Sequence, residues 1–147
     1  MRAVAGRAFA PVYSGVRARV GEPLASLAYG SAERDQIERL NELCASDATR
    51  DMLVVECAHR VVGFGHVLLD HDRKIGEIGL NAIDPPHQGK GYGRKLHAAM
   101  LDRMRAAGMF VATVTSGHDD AHATALRAYM RAGFTGAVPQ VSLYRPL

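Results

Sequence analysis

Between Gln88 and Arg94 the sequence runs Gln-Gly-Lys-Gly-Tyr-Gly-Arg, with glycine at positions 89, 91 and 93. Alternating glycines let a main chain approach a ligand with no Cβ in the way. A helix starting here would leave its first amides without intrahelical acceptors, and its dipole would add partial positive charge. Such a surface suits a pyrophosphate, and Lys90, Arg94 and Lys95 add charge around it. Two common nucleotide loops fail on spacing. The P-loop requires Gly-Lys-Ser/Thr, whereas Lys90 is followed by Gly91; the dinucleotide pattern G-x-G-x-x-G meets arginine at position 94. A turn that merely reverses the chain needs fewer glycines than this. His118 and His122, spaced i, i+4 beside Asp119, invite a metal reading. Without a third placed ligand, a loop that caps a helix explains them better, so no metal is expected.

The elements that must hold these groups follow from periodicity. Residues 1–14 lack a clear period and are expected to be a loosely held extension, with one domain over 15–147. Val16, Ala18 and Val20 alternate with Arg17 and Arg19, which predicts a short half-buried strand. Pro23 suits the first turn of a helix running to Ala28, and Ser31 suits the N-cap of a second, with Ile37, Leu40 and Cys44 on one face. Met52–Cys57, Val61–Leu69 and Lys74–Ile83 are three β-rich runs joined by tight polar turns, an antiparallel meander. Asp84-Pro85-Pro86 ends the third run, because proline cannot continue a central strand. Leu96, Met100, Met104 and Ala107 then recur at helical spacing up to Gly108. Phe110–Val114 reads as a buried strand, Ala121 to Ala132 as a last helix stopped by Gly133, and Val141–Tyr144 as a closing strand. The result is one α/β domain.

Composition narrows the class. With 147 residues, 48% apolar and 22% charged, the chain fits a single globular domain. No apolar run approaches the ~20 residues that span a bilayer, so no membrane partner is expected. Cys44 and Cys57 are the only cysteines, too few for a disulfide framework, and a cytoplasmic location fits them best. The net charge of +3 would help attract an anionic ligand. Nucleic acid is not expected, since the nine aromatics and scattered arginines make no basic stripe with interleaved rings.

The spacing that does match is Gln/Arg-x-x-Gly-x-Gly/Ala, here Gln88 to Gly93, preceded by Ile83-Asp84-Pro85 and followed downstream by Tyr129-Met130-Arg131-Ala132-Gly133-Phe134. Together these resemble the GNAT superfamily of N-acetyltransferases. The resemblance implies a mixed, mostly antiparallel central sheet flanked by helices, with a splay between the family's fourth and fifth strands, here 74–83 and 110–114. It implies acetyl-CoA as co-substrate. Pantetheine would lie along main-chain groups of Asn81, Ala82 and Ile83, and the pyrophosphate on Gln88, Gly89, Lys90, Gly91, Tyr92, Gly93 and Arg94. Tyr129 stands where the family carries the tyrosine that protonates the departing thiolate, which a phenol of pKa about 10 can do at neutral pH. Glu77 stands where many members carry a carboxylate that takes the amine's proton through water. Plain alternation would put Glu77, Gly79 and Asn81 on one face. The alternatives are a core tyrosine and a solvated strand glutamate. His66, His118, Asp119 and Asp120 are reserve bases. Two departures stand out: His122 occupies a position where asparagine often contacts pantetheine, and the Thr115–Ala121 connection is longer than usual. The acceptor would be a small-molecule or protein amine. The rival reading is a non-catalytic acyl-CoA-binding module. The closing strand would leave an edge through which two copies could pair.

Overall fold

A computed structural model describes residues 1–45 and 51–145. Three helices come first: α1 (Arg2–Val20), α2 (Leu24–Tyr29) and α3 (Ala32–Ala45). Then follow β1 (Met52–Cys57), β2 (Arg60–Asp70), β3 (Ile75–Ile83), a 3-10 turn over Pro85–His87, α4 (Tyr92–Ala106), β4 (Val111–Val114) and α5 (Ala123–Arg131). The strands form one sheet in the order β1-β2-β3-β4, antiparallel except for the β3–β4 pair. The expected meander and mixed sheet are therefore present.

Each tight turn has a local cause. Ala58 and His59 both take positive φ, the conformation a two-residue hairpin loop demands. Asp70 Oδ1 accepts the backbone N–H groups of Asp72 (3.1 Å) and Arg73 (2.9 Å), closing the β2–β3 turn. At the end of α4, Gly108 donates to Arg105 O (3.0 Å) and Met109 donates to Met104 O (3.0 Å), which satisfies terminal carbonyls and turns the chain into β4.

Two cores lie on opposite faces of the sheet. On one, Val67 and Ile78 meet Leu96, Met100 and Met104 of α4, with Met109 and Tyr129. On the other, Phe64 and Ala82 meet Val4 and Ala5 of α1 and Leu40 of α3. Strand alternation, shifted by one extra residue in β3 between Ile78 and Asn81, makes this division, since successive side chains point to opposite faces.

Three regions depart from the sequence expectations, the first being the strand read as buried, where Phe110 and Val111 are 86% and 51% exposed. The predicted strand over Val16–Val20 is the last turn of α1, and residues 1–14 are its body, with Val4 and Ala5 only 3% and 2% exposed. Five alternating residues fit either period. The helix is favoured because its terminal arginines face the negative end of the dipole and pair outward, Arg17 with Glu33 and Arg19 with Asp119, each at 3.1 Å. The predicted strand over Val141–Tyr144 has no regular structure, and Val141 and Leu143 are 82% and 90% exposed. Instead of pairing in the sheet, Tyr144 places its ring and hydroxyl against Tyr29 of α2. The strand edge expected to pair two copies is therefore absent.

Candidate functional site

Strand β3 changes partners along its length. Ile75–Ile78 pair with Val111–Val114 of β4, but Gly79–Ile83 run on with no β4 residue opposite. On the other side, pairing with β2 steps from Val67–Ile78 to Gly65–Asn81, leaving Gly79 and Leu80 together opposite His66. This is a β-bulge, one extra residue in one strand, and it resets the alternation. Ile78 and Asn81 consequently share the α4 face, while Glu77 lies on the other. The expected common face for Glu77 and Asn81 is overturned by that one inserted residue.

The backbone beyond the bulge has an open edge. Asp84 N–H donates to Val62 O at 2.8 Å, so alternation turns the polar main-chain groups of Ala82 toward β2 and those of Asn81 and Ile83 outward. Gln88 Nε2 donates to Ile83 O at 2.9 Å from that outer side. Of the three residues expected to offer main-chain contacts, Asn81 and Ile83 face the opening. Ala82 is committed to the sheet.

The chain then bends through Pro85–His87 into the glycine loop. Gly89 and Gly91 take φ of 73° and 85°, left-handed values that a side chain resists, and Gly91 is the N-cap of α4. Among the described residues, none of the amides from Gly89 to Arg94 has a hydrogen-bond acceptor; the first bonded one is Lys95 N–H, to Gly91 O at 3.2 Å. A Cβ added at Gly89 or Gly91 would meet nothing within 4 Å, so the surface is open. Arg94 and Lys95 are exposed, while Lys90 Nζ donates to Pro86 O at 2.8 Å and braces the bend. Tyr92 Oη donates to Cys57 Sγ at 3.2 Å, fastening the loop to β1. Arg7 of α1 forks onto both oxygens of Asp84, at 2.8 and 2.7 Å, and this holds the Asp84 carboxyl below its ordinary range. These residues fit a pyrophosphate.

At the other end of the open edge sits Tyr129, 6% exposed. Gly133 at φ 99° lets Phe134 N–H return to Tyr129 O (3.2 Å) and sets the Phe134 ring edge-on to the tyrosine, centroids 6.0 Å apart. That is the physical content of the Tyr-x-x-x-Gly-Phe spacing. Asn81 Nδ2 donates to Gly79 O at 3.0 Å and to Tyr129 Oη at 2.9 Å; the phenol could alternatively donate to Asn81 Oδ1 at 3.3 Å. His97, 5% exposed, stacks on the Tyr129 ring with centroids 4.9 Å apart and brings Nε2 to 3.4 Å from Asn81 Oδ1. Burial pushes the Tyr129 pKa up, and the bond to Asn81 draws it part of the way back. Burial pushes His97 down, keeping it neutral. Sequence reasoning missed His97. Its position one residue after Leu96, on the buried stripe of α4, was the available signal.

The remaining candidates lie apart from this cluster. Glu77 is exposed, opposite Leu68 on β2 and Thr113 on β4. His122 is the N-cap residue of α5, with Nδ1 2.9 Å from Asp119 Oδ1. Burial opposes ionisation of Asp119, but its bonds from His122 and the nearby Arg19 outweigh this, and its pKa falls. His66 is buried against the bulge and its pKa is pushed down by that burial. Among the described residues, no three His, Cys, Asp or Glu side chains group to hold a metal ion, and no helix is long and apolar enough to cross a membrane.

Comparison with known proteins adds an independent line. Residues 22–134 match the model of the Acetyltransferase (GNAT) family. The chain is 35% identical over 99 residues to a mycothiol acetyltransferase of Sanguibacter keddieii, a match covering 64% of this chain and 31% of that protein. It is 36% identical over 63 residues to an L-methionine sulfoximine/L-methionine sulfone acetyltransferase of Salmonella typhimurium, covering 42% of this chain and 36% of that one. The chain thus matches only about a third of the length of these curated relatives. Among solved structures, the PaiA N-acetyltransferase of Thermoplasma acidophilum in complex with coenzyme A is similar in fold. It has a TM-score of 0.65 and 17% identity, covering 91% of this chain and 80% of that one.

Proposed function

The chain belongs to the acetyltransferase (GNAT) family, and on that premise we propose that it moves an acetyl group from acetyl-CoA to a primary amine by direct attack within a ternary complex. The observation that carries this reading is the run of acceptor-less amides from Gly89 to Arg94, reached along the open edge of β3 from Tyr129. Acetyl-CoA supplies the activated acyl group. The chain supplies a diphosphate cradle, an extended edge for the pantetheine amides, and a buried phenol. His122, bonded to Asp119 at the N-terminal end of α5, would contact the cofactor from there.

The amine nitrogen bonds to the acetyl carbon as the carbon–sulfur bond breaks. Tyr129 gives its proton to the departing sulfur. A lysine-like amine, of pKa about 10.4, must shed a proton to attack, and Glu77 accepts it through water. Glu77 is exposed on the α1 and α3 face of β3, so the acceptor approaches over the N-terminal helices. Both curated relatives are named for small molecules, which favours a small-molecule amine.

The test pairs calorimetric binding of CoA with thiol release from acetyl-CoA across a panel of primary amines. Wild-type protein is expected to bind CoA and to release thiol with at least one amine. Tyr129→Phe should keep CoA affinity and lose roughly 100-fold in kcat, the low end of what a general acid contributes. Absence of CoA binding, or undiminished turnover in Tyr129→Phe, would overturn the assignment.

A further inference from the structure

The Asn81 carboxamide joins three groups that sequence spacing does not connect: the Gly79 carbonyl at the bulge, the Tyr129 phenol and the His97 imidazole. Its orientation follows from chemistry. Gly79 O can only accept, so the Asn81 nitrogen, not its oxygen, must face it. The second hydrogen of Nδ2 then points to Tyr129 Oη at 2.9 Å. Asn81 Oδ1 is left facing His97 Nε2, which must carry the ring hydrogen to donate. Nδ1 is then the bare nitrogen, and it is buried with no partner. A bare acceptor costs less there than an unpaired N–H, and far less than an imidazolium.

We propose that His97 is a positioning residue that locks the Asn81 carboxamide, so that the Tyr129 phenol accepts from Asn81 and keeps its own hydrogen free to donate. Without His97, Oδ1 is the best acceptor within reach of the phenol, at 3.3 Å, and the Tyr129 proton turns onto it instead of toward the ligand. The same arrangement serves after proton release, since Nδ2–H already points at the phenolate oxygen. The proposal rests on Tyr129 being the acid of the reaction above. Neither Asn81 nor His97 needs to touch the reacting atoms.

Two measurements test it. In the ligand-free protein at neutral pH, the imidazole nitrogen NMR signals of His97 should show the Nε2–H tautomer with Nδ1 bare, and Asn81→Ala should abolish that preference. A His97 found as Nδ1–H or protonated overturns the proposal, whatever the activity. In thiol-release kinetics, His97→Leu should lower kcat about tenfold, the loss of roughly one hydrogen bond's worth of alignment. CoA affinity should stay unchanged. His97→Gln, which retains a donor, should recover most of the loss, and its behaviour decides the matter if the leucine variant fails to fold. In an Asn81→Ala background, the His97 substitutions should cause no further fall; an equal fall in both backgrounds overturns the positioning role. A protein with the expected tautomer but no thiol release would sink the enzymatic reading alone.

Discussion

The two halves of β3 adjoin in sequence and do opposite things. Ile75–Ile78 are closed on both sides by β2 and β4, and Ile78 is 2% exposed in the core beneath α4. Gly79–Ile83 keep β2 on one side only, and the Asn81 side chain turns to Tyr129 rather than into apolar packing. The boundary is the bulge opposite His66. A strand fully satisfied by neighbours is structure; the same strand with one edge released becomes a row of donors and acceptors available to a ligand.

This contrast can be broken from either half. Ile78→Ala strikes the closed half and is expected to cost about 3 kcal/mol of stability, as removal of a buried isoleucine side chain does. Denaturant titration reads that loss, while CoA affinity of the folded fraction should hold. Gly91→Glu strikes the loop that the open half leads into. It forces a side chain into a left-handed backbone and sets a carboxylate beside the pyrophosphate, so calorimetry should show CoA binding weakened about 100-fold or more, roughly 2.7 kcal/mol. If Ile78→Ala also abolished binding with the fold intact, the two halves would not be separable.

The smallest expected effect concerns the bulge itself. Burial lowers the pKa of His66 below the ordinary value of 6.5, so below that pH the unfolded chain binds a proton that the folded chain refuses. Stability should therefore fall as pH drops through the window beneath 6.5. His66→Gln should flatten that part of the curve, by at most about 1.4 kcal/mol per pH unit. An unchanged slope in the variant would mean that His66 takes its proton without disturbing the bulge.

Much of the glycine loop was legible because its requirements are local. Gly89, Gly91 and Gly93 stand at fixed offsets before a helix whose apolar residues recur at 3.6-residue spacing, and both facts lie within twenty residues of chain. Tyr129 and Phe134 were legible for the same reason, since Gly133 alone sets their contact. The N-terminus was misread because Val16 to Val20 is too short to separate a period of two from the end of a helix, and the buried contacts of Val4 and Ala5, with the outward ion pairs of Arg17 and Arg19, select the latter. Glu77 and Asn81 were misplaced relative to each other because a bulge is a mismatch between two strands, invisible in either one.

What the sequence determined by itself was the order of elements from α2 to α5 and the glycine-bearing turns, because hydrogen-bond periodicity and backbone sterics act over a few residues. Tertiary structure alone decided which groups meet. Pairing register put Asn81 on the α4 face, and packing of α4 against α5 stacked His97 on Tyr129. Those contacts join residues 16 to 48 positions apart, a separation that no local periodicity encodes and that burial of two opposed apolar faces brings about.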